Sequence, residues 1–390
     1  MKNINVILFV LILLLMRGFD LVFLNLRILD YLCTLVLFYY TFLSFKTKSE
    51  YRVLILLFAL SLLVSCISSD LTKGQSFLRT VINSFSYWGL LFYFTLVRYQ
   101  PTIQECKKIL LVLSLMFCFC YVLQWLIYPT VLFTGVNIEG KVSADKFRMR
   151  MSGSILCYLL YFWGINTYLT FKKKKYLLYS LIGFLPILIM GFRSLIACTI
   201  IGTLIMSFLV TKKISRTFIY TIVGVIIAAI SYVCVPIVNQ KVNEMILRQQ
   251  TDNFNNDDYI RIISFNYFME NSSITDKIFG GGVPDTKSNY GKEIFDLQEK
   301  GFYLADLGLI GLMLTIGLLS VIFLSMIIAK CIIQCKSKDT QFIRFTLLSV
   351  YIASIFTSME LYRNGNFVII ALLLYYVTKR NAKTGNYTLK

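Results

Sequence analysis

Histidine is absent from all 390 residues of this chain. Its absence excludes histidine-based acid–base catalysis and every metal site that relies on imidazole ligands. Cysteine is absent from residues 238–302, so that segment holds no internal disulfide. Cys331 and Cys335 have no histidine or third cysteine nearby in the sequence, and we predict free thiols rather than zinc ligands.

Motifs for nucleotides and for catalytic metals are also missing. Gly280-Gly281-Gly282 lacks the Lys-Ser/Thr pair that completes a P-loop. There is no HExxH motif, and no paired-aspartate sugar-nucleotide motif within a soluble domain. We therefore expect no nucleotide site, no metal and no cofactor.

Apolar residues are abundant instead. They make up 57% of the chain, and the mean hydropathy is +0.70, whereas a soluble domain is about 45–50% apolar. Runs such as 53–64 and 312–329 are too numerous and too long to be a soluble core, and they are typical of transmembrane helices. The composition predicts an all-α polytopic membrane protein without a separate soluble domain.

The apolar segments predict twelve transmembrane helices. Their approximate ranges are 4–24, 28–45, 52–68, 77–97, 109–128, 151–171, 176–191, 194–211, 217–237, 303–329, 344–359 and 365–378. The chain then divides into residues 1–237 with nine helices, a large loop 238–302, and residues 303–390 with three helices and a tail.

Charge fixes the orientation of this layout. The net charge is +19, but the basic residues fall in short loops between apolar segments, which argues against nucleic-acid binding. With both termini inside, every inner loop is basic, and only Glu50, Glu105 and Asp339 place acidic groups there. We therefore predict a multi-pass protein of the cytoplasmic (inner) membrane, with loop 238–302 on the outer face.

The outer loop carries its own local signals. Asp257 or Asp258 is suited to cap a helix over 259–269, which Asn271-Ser272-Ser273 would end. Gly280 to Pro284 predicts a turn.

Arginines on the outer side run against the usual charge bias. Arg193 lies in a short turn between two spans, where it either binds a phosphate with its planar guanidinium or extends to the lipid headgroups. Arg261 follows Tyr259 in an aromatic segment, where it either binds substrate or stays solvated on a helix that lies on the bilayer. Arg148 and Arg150 precede another span and are either substrate contacts or interfacial anchors.

Carboxylates follow the glycine turn, close to the span that begins near residue 303. Asp296, Glu299 and Asp306 can act as a general base at the membrane edge or form a solvated face. Their spacing does not decide between these two interpretations.

Three stretches of the chain together resemble the bacterial O-antigen and capsule polysaccharide polymerases, whose superfamily includes the O-antigen ligases. The stretches cover roughly residues 150–311: Arg150-Met151-Ser152-Gly153, Gly191-Phe192-Arg193-Ser194, and the loop series Asp258 to Phe268, Asp276 to Gly282, Asp296 and Leu304 to Gly311. The ligase branch is expected to have a histidine shortly before the Gly-x-x-Gly of the next span. This chain has Asp296 there, which favours a polymerase.

The resemblance implies a C-type glycosyltransferase membrane fold and a metal-independent reaction on the outer face of the membrane. The substrates would be polyprenyl-diphosphate-linked (undecaprenyl-type) oligosaccharides. Arg193 and Arg261 would stabilise the departing diphosphate and Asp296 would position or deprotonate the acceptor, while Arg148, Arg150, Tyr259 and Gly281 would contact substrate. A flippase and a chain-length regulator are expected partners, by resemblance only, in lipopolysaccharide or capsule assembly.

Three other functions stay open from the sequence. An O-antigen ligase is the nearest, a transporter or flippase of lipid-linked oligosaccharides belongs to another class, and a non-catalytic assembly protein is the third. A flippase would favour charged residues in mid-membrane and inverted repeats. The sequence contains few of the former and no internal repeat.

Overall fold

The structure of the chain is a computed structural model. It describes residues 5–24, 26–128, 130–134, 136–137, 148–149, 151–211, 243, 260–357, 361 and 363–383. The predicted span 217–237 and the proposed caps Asp257 and Asp258 lie outside these residues.

Nearly all of the described chain is helical. The helices before residue 130 are α1 (Val6–Leu15), α2 (Arg17–Asp20), α3 (Arg27–Leu43), α4 (Arg52–Lys73), α5 (Phe77–Asn83), α6 (Phe85–Trp88), α7 (Phe92–Tyr99) and α8 (Ile103–Leu126). The later ones are α9 (Ile155–Phe171), α10 (Lys175–Met190), α11 (Arg193–Thr211), α12 (Ile260–Asn271), α13 (Ile274–Phe279), α14 (Asn289–Glu299), α15 (Leu309–Ile316), α16 (Leu318–Gln334), α17 (Gln341–Phe356) and α18 (Asn366–Lys383). Short 3-10 helices occupy Val22–Leu24, Gly89–Leu91 and Leu304–Leu307. Strands β1 (Val136–Asn137) and β2 (Arg148–Met149) pair antiparallel.

Several helices are suited to a membrane. By length and composition α4 and α8 can each cross one, and α5 together with residues 85–99, bent by 63°, can form a third span. Shorter apolar helices include α1, α9, α10, α16 and α17. These helices indicate membrane association, but the predicted count of twelve spans is not confirmed. Apart from 217–237, helices occupy most of the described residues in each predicted range.

The first predicted span, 4–24, is not one continuous helix. Helix α1 ends at Leu15, and the short element α2 that follows is a single left-handed turn, in which Arg17, Gly18, Phe19 and Asp20 have positive φ angles of 49°, 55°, 65° and 67°. A left-handed conformation costs about 1–2 kcal/mol per non-glycine residue, so neighbouring contacts must stabilise this turn. Thr134 supplies one, because its backbone N–H donates to the Asp20 carbonyl at 2.7 Å.

The predicted span 303–329 is also interrupted. Gly317 has φ 86° and separates α15 from α16, which exposes the last carbonyls of α15 to other partners. The break therefore offers hydrogen-bond acceptors to another part of the chain.

Helix α18 is the centre of the packing. Its side chains from Phe367 to Val377 are all 4% exposed or less, as expected for a helix that is apolar on every side. At Gly89 the approach is so close that a Cβ would lie 3.1 Å from the Val368 backbone nitrogen. The neighbouring helices thus pack around α18 on all sides.

Helix α4 defines two ends of the molecule. Its 22 residues rise about 33 Å, close to the hydrocarbon thickness of a bilayer. Residues 46–49 precede its N-terminus, and Lys73 and Gly74 end it. Loop residues 272–300 gather at the Lys73 end. Lys73 contacts Asp276, Ser69 lies against Gly282, and Gln75 is bonded to Asp285.

Candidate functional site

A cavity of about 320 Å³ lies at the Lys73 end of α4, beneath helices α12, α13 and α14. We call it the loop cavity. Its lining combines aromatic rings with carboxylates, amides and lysines: Lys73, Tyr267, Phe268, Asn271, Ser272, Asp276, Gly281, Tyr290, Glu293, Ile294, Asp296, Leu297, Lys300, Leu304 and Leu314. Flat rings beside hydrogen-bonding groups suit a ligand with apolar faces and hydroxyl edges.

An ion pair joins α4 to the loop within this cavity. Lys73 Nζ lies 2.8 Å from Asp276 Oδ2, and it also lies 5.8 Å from the Tyr290 ring centroid. Ser273 and Asp276 form a capping box at the start of α13. Burial raises the pKa of Asp276, but hydrogen bonds from Lys73 and Ser273 outweigh it and hold the pKa below its usual value. Asp276 is therefore an ionised structural partner of Lys73.

The glycine turn seals the break between α15 and α16. Gly281 and Gly282 donate their N–H groups to the carbonyls of Leu314 and Thr315 at 2.8 and 2.9 Å. Such C-terminal carbonyls have no partner within their own helix. A Cβ on Gly280 would lie 2.5 Å from the Gly317 nitrogen, so only glycine permits this approach. The turn thus fixes the loop to the helices below it, a role different from phosphate binding.

Two predicted site residues meet in the loop cavity. Asp296, on α14, and Gly281 both line it, although the Asp296 side chain is exposed. Arg261 lies on α12 and is also exposed. It shares a helical stripe with Phe268, seven residues later, which lines the cavity two turns, or about 10 Å, away. The structure places Arg261 near the cavity but not in its wall.

A second polar feature lies at the same end of the molecule. Arginines and aspartates alternate across it, and we call them the charge row: Arg363, Asp20, Arg17, Asp30, Arg27 and Asp285. Arg17 donates to both oxygens of Asp30, from Nε at 2.8 Å and from Nη2 at 2.5 Å. Arg27 Nη2 lies 3.2 Å from Asp285 Oδ1. The row runs from the segment just before α18 to the loop.

Gln75 connects the end of α4 to the loop end of this row. Its Oε1 accepts from the Asp285 backbone at 2.7 Å and from Ser288 Oγ at 2.8 Å, and its Nε2 donates to the Val283 carbonyl at 2.8 Å. Because Gln75 is 1% exposed, these bonds are protected from water and position the segment before α14.

Asp20 is the most perturbed acid of the charge row. Burial raises its pKa to about 6, although Arg17, the Asn364 side chain, the Ser152 backbone and Arg363 favour the ionised form. Its Oδ1 finds no hydrogen-bond donor in the described part of the chain. Asp20 lies beyond the end of α1, in the left-handed turn. A carboxyl group of this kind can exchange a proton near neutral pH.

Two of the three stretches that carry the family resemblance meet beside Arg363. Its guanidinium lies 5.8 Å from the Phe192 ring centroid, next to Arg193. Ser152 Oγ and the Gly153 N–H both donate to the Asn364 carbonyl, at 2.5 and 3.0 Å. The charge row then connects this point to the third stretch, the loop. Distant parts of the sequence therefore converge on one end of the fold.

Other predicted site residues can be placed only in part. Arg193 is the first residue of α11 and Arg148 lies in β2, and the structure describes the backbone but not the side chain of each. Arg150 and Tyr259 lie outside the described residues. Their predicted contacts with substrate stay predictions.

Sequence reasoning missed Asp20, Arg363 and Lys73 as members of the site. Asp20 lies in sequence close to Arg17, Arg27 and Asp30. Four charged residues next to apolar segments could have indicated a functional site there. Arg363 directly precedes the last apolar segment and carries a similar signal. Lys73 had none, since its partner Asp276 is 203 residues away.

No protein-family model matches this chain, and no curated protein or solved structure shows a significant similarity to it.

Proposed function

We propose that the protein is a membrane-embedded polysaccharide polymerase. It joins polyprenyl-diphosphate-linked oligosaccharide repeat units at the Lys73 end of α4, which would face the outside of the cytoplasmic membrane. The observation that carries the proposal is the placement of the loop cavity at the same end as the N-terminus of α11, where Arg193 lies.

The loop cavity suits the sugar end of an acceptor. Tyr267 and Tyr290 provide ring faces, and Asn271 and Asp296 provide hydrogen-bonding groups for hydroxyls. An acceptor hydroxyl attacks the anomeric carbon of the donor, a new glycosidic C–O bond forms, and the bond to the lipid diphosphate breaks. Asp296 positions this hydroxyl or receives its proton.

The leaving diphosphate requires cationic groups. Arg193 and Arg261 are the proposed ones, because guanidinium groups bind phosphate oxygens in pairs and stay charged. The arginines of the charge row are balanced by three aspartates, so we assign them to positioning rather than to the leaving group. Preorganised charge of this kind contributes several kcal/mol to lowering the barrier.

The experiment compares surface polysaccharide and extracted lipid-linked intermediates in a deletion strain. The strain is complemented with wild type, Arg193→Ala, Arg193→Lys or, as a control at the opposite end of the fold, Arg98→Ala. We expect a ladder with wild type and with Arg98→Ala, and a single repeat unit with Arg193→Ala. Lysine should rescue poorly, because it lacks the planar fork.

A normal ladder with Arg193→Ala would overturn the assigned role of this arginine. Loss of all surface glycan from the deletion strain, without accumulation of a single repeat unit, would instead favour a transporter. That second candidate rests on the interrupted helices, α15–α16 at Gly317 and the pair bent by 63°, since broken helices are common at transporter binding sites.

A further inference from the structure

A second cavity lies at the opposite end of α4 from the loop cavity. Its volume is about 500 Å³, and it is formed by the segment before α4, the end of α7 and the last turns of α18. We call it the lysine cavity. Its lining residues are Lys46, Thr47, Lys48, Ser49, Tyr93, Val97, Gln100, Tyr375, Thr378 and Lys379.

Three lysines and no carboxylate line this cavity among the residues described. Two acids lie close to the lining residues: Glu50, whose side chain accepts a hydrogen bond from Gln334 Nε2, and Glu105, whose charge acts on Tyr375. Lys330 donates to the Glu50 carbonyl at 2.9 Å. The three lining lysines therefore leave an excess of positive charge in a confined space, which favours an anion.

The floor of the cavity holds a cluster of hydroxyl groups. Tyr93 is completely buried and lines the cavity, and its hydroxyl lies close to the Ser49 and Thr378 hydroxyls. Thr378 donates its own proton to the Leu374 carbonyl at 3.0 Å. Hydroxyl groups that line a cationic cavity can turn to donate to a bound oxyanion.

An apolar surface borders the cavity on one side. Phe42, Leu43, Phe45 and Tyr99 are between 42% and 80% exposed, on the last turn of α3, just after it and at the end of α7. The Tyr40 and Tyr99 hydroxyls lie 2.6 Å apart on this surface. A ligand with both an anionic group and a hydrocarbon part fits this arrangement.

We propose that the lysine cavity binds the phosphoryl group of an anionic lipid. Lys46, Lys48 and Lys379 supply the charge, and the Tyr93 and Ser49 hydroxyls donate to phosphoryl oxygens. The acyl chains lie along the exposed surface of α3 and α7. This site is separate from the loop cavity and does not depend on the reaction proposed there.

The test measures lipid binding to the full-length protein in detergent by native mass spectrometry. Phosphatidylglycerol is the probe, phosphatidylcholine is the neutral comparison, and inorganic phosphate tests a soluble source. The variant Lys46→Gln/Lys48→Gln/Lys379→Gln removes three charges from the cavity. The variant Lys173→Gln/Lys174→Gln/Lys175→Gln removes three exposed lysines at the junction of α9 and α10 and is the matched control.

We expect the cavity variant to weaken phosphatidylglycerol binding about tenfold or more, and the control to change it less than twofold. Thr47→Trp, which fills the cavity from an exposed position without changing charge, should also weaken binding. Equal losses in both triple variants, or unchanged binding with Thr47→Trp, would overturn the site. Binding of inorganic phosphate alone, with the same dependence on the three lysines, would support a phosphoryl site with a soluble ligand.

The polysaccharide ladder separates this proposal from the proposed function. A normal ladder from the cavity variant with weakened lipid binding supports the lipid site and leaves the polymerase untouched. If the protein proves not to be a polymerase, the lipid binding measured in detergent still tests the lysine cavity.

Discussion

Arg17 and Asp30 form a two-bond ion pair that is largely removed from water. Their closest atoms are 2.5 Å apart, and their side chains are only 16% and 5% exposed. Arg380 and Asp339 are also 2.5 Å apart, but their side chains are 33% and 48% exposed. The two pairs have the same distance and different burial. Comparing them therefore separates the effect of burial on stability from the effect of distance.

Removing Arg17 should be strongly destabilising. Arg17→Ala leaves the Asp30 carboxylate buried without its guanidinium, which costs about 3–5 kcal/mol when a buried pair is broken. We expect a large drop in the thermal midpoint of the purified protein in detergent. Arg17→Met with Asp30→Leu should recover much of that loss, because no charge stays buried.

The exposed pair is the control for this measurement. Arg380→Ala should cost less than about 1 kcal/mol, since water replaces the lost partner. A loss for Arg17→Ala no larger than that for Arg380→Ala would contradict the importance of the buried pair.

Asp20 should make stability depend on pH. Its pKa is raised to about 6, so the folded protein holds this proton more tightly than the unfolded chain. Between about pH 4 and pH 6, rising pH therefore lowers the free energy of unfolding, by up to about 3 kcal/mol for a two-unit shift. In Asp20→Asn the thermal midpoint should depend less on pH between pH 5 and pH 8. At pH 8 this variant should be more stable than wild type.

The matched variant is Glu270→Gln at an exposed position of α12. It removes an exposed carboxylate instead of a buried one, and we expect its thermal midpoints to follow those of wild type at every pH. A wild type that becomes more stable from pH 5 to pH 8 relative to Asp20→Asn would show that the Asp20 pKa is not raised.

Gly280 and Gly301 separate two costs of replacing a glycine. Both have positive φ angles, 86° and 91°, and both should lose about 1 kcal/mol on substitution by alanine. At Gly301 a Cβ meets side-chain atoms at 3.5 Å or more, whereas at Gly280 it lies 2.5 Å from the Gly317 nitrogen. Gly280→Ala should therefore be markedly less stable than Gly301→Ala in the same detergent melt. Equal midpoints for the two variants would mean that the loop does not rest on the α15–α16 break.

Regular parts of this fold could be predicted from hydrophobic pattern. The segment 365–378 is predicted to be a continuous apolar helix, and α18 covers all of it except its first residue. In the loop, Asn271-Ser272-Ser273 predicted the end of a helix, and α12 ends at Asn271. The glycine turn at 280–284 is likewise confirmed as non-helical.

The irregular parts depend on contacts that the pattern does not contain. Nothing local distinguishes the sequence around Gly317 from a continuous span, and the break is stabilised by Gly281 and Gly282 from the loop. The same limitation applies to the site. Arg27 and Asp285 are 258 residues apart in the chain, so their pairing follows from the tertiary fold alone.

Asp296 should matter for polymer synthesis because it lines the loop cavity. Asp296→Asn keeps the size of the side chain and removes its charge and its capacity to accept a proton. If Asp296 receives the acceptor proton, the rate of chain extension should fall by about 10²–10⁴-fold. The measurement is the length distribution of surface polysaccharide in the complemented deletion strain, together with the pool of lipid-linked single repeat units.

Glu299 gives the control for this prediction. It lies three residues later on α14, is exposed, and does not line the loop cavity. Glu299→Gln removes the same charge from the same helix, so it should leave chain length unchanged if the cavity position decides the effect. Shortened chains with Asp296→Asn and normal chains with Glu299→Gln would place the acceptor in the loop cavity. Equal shortening by both variants would point instead to the overall charge of α14, and normal chains with Asp296→Asn would remove Asp296 from the reaction.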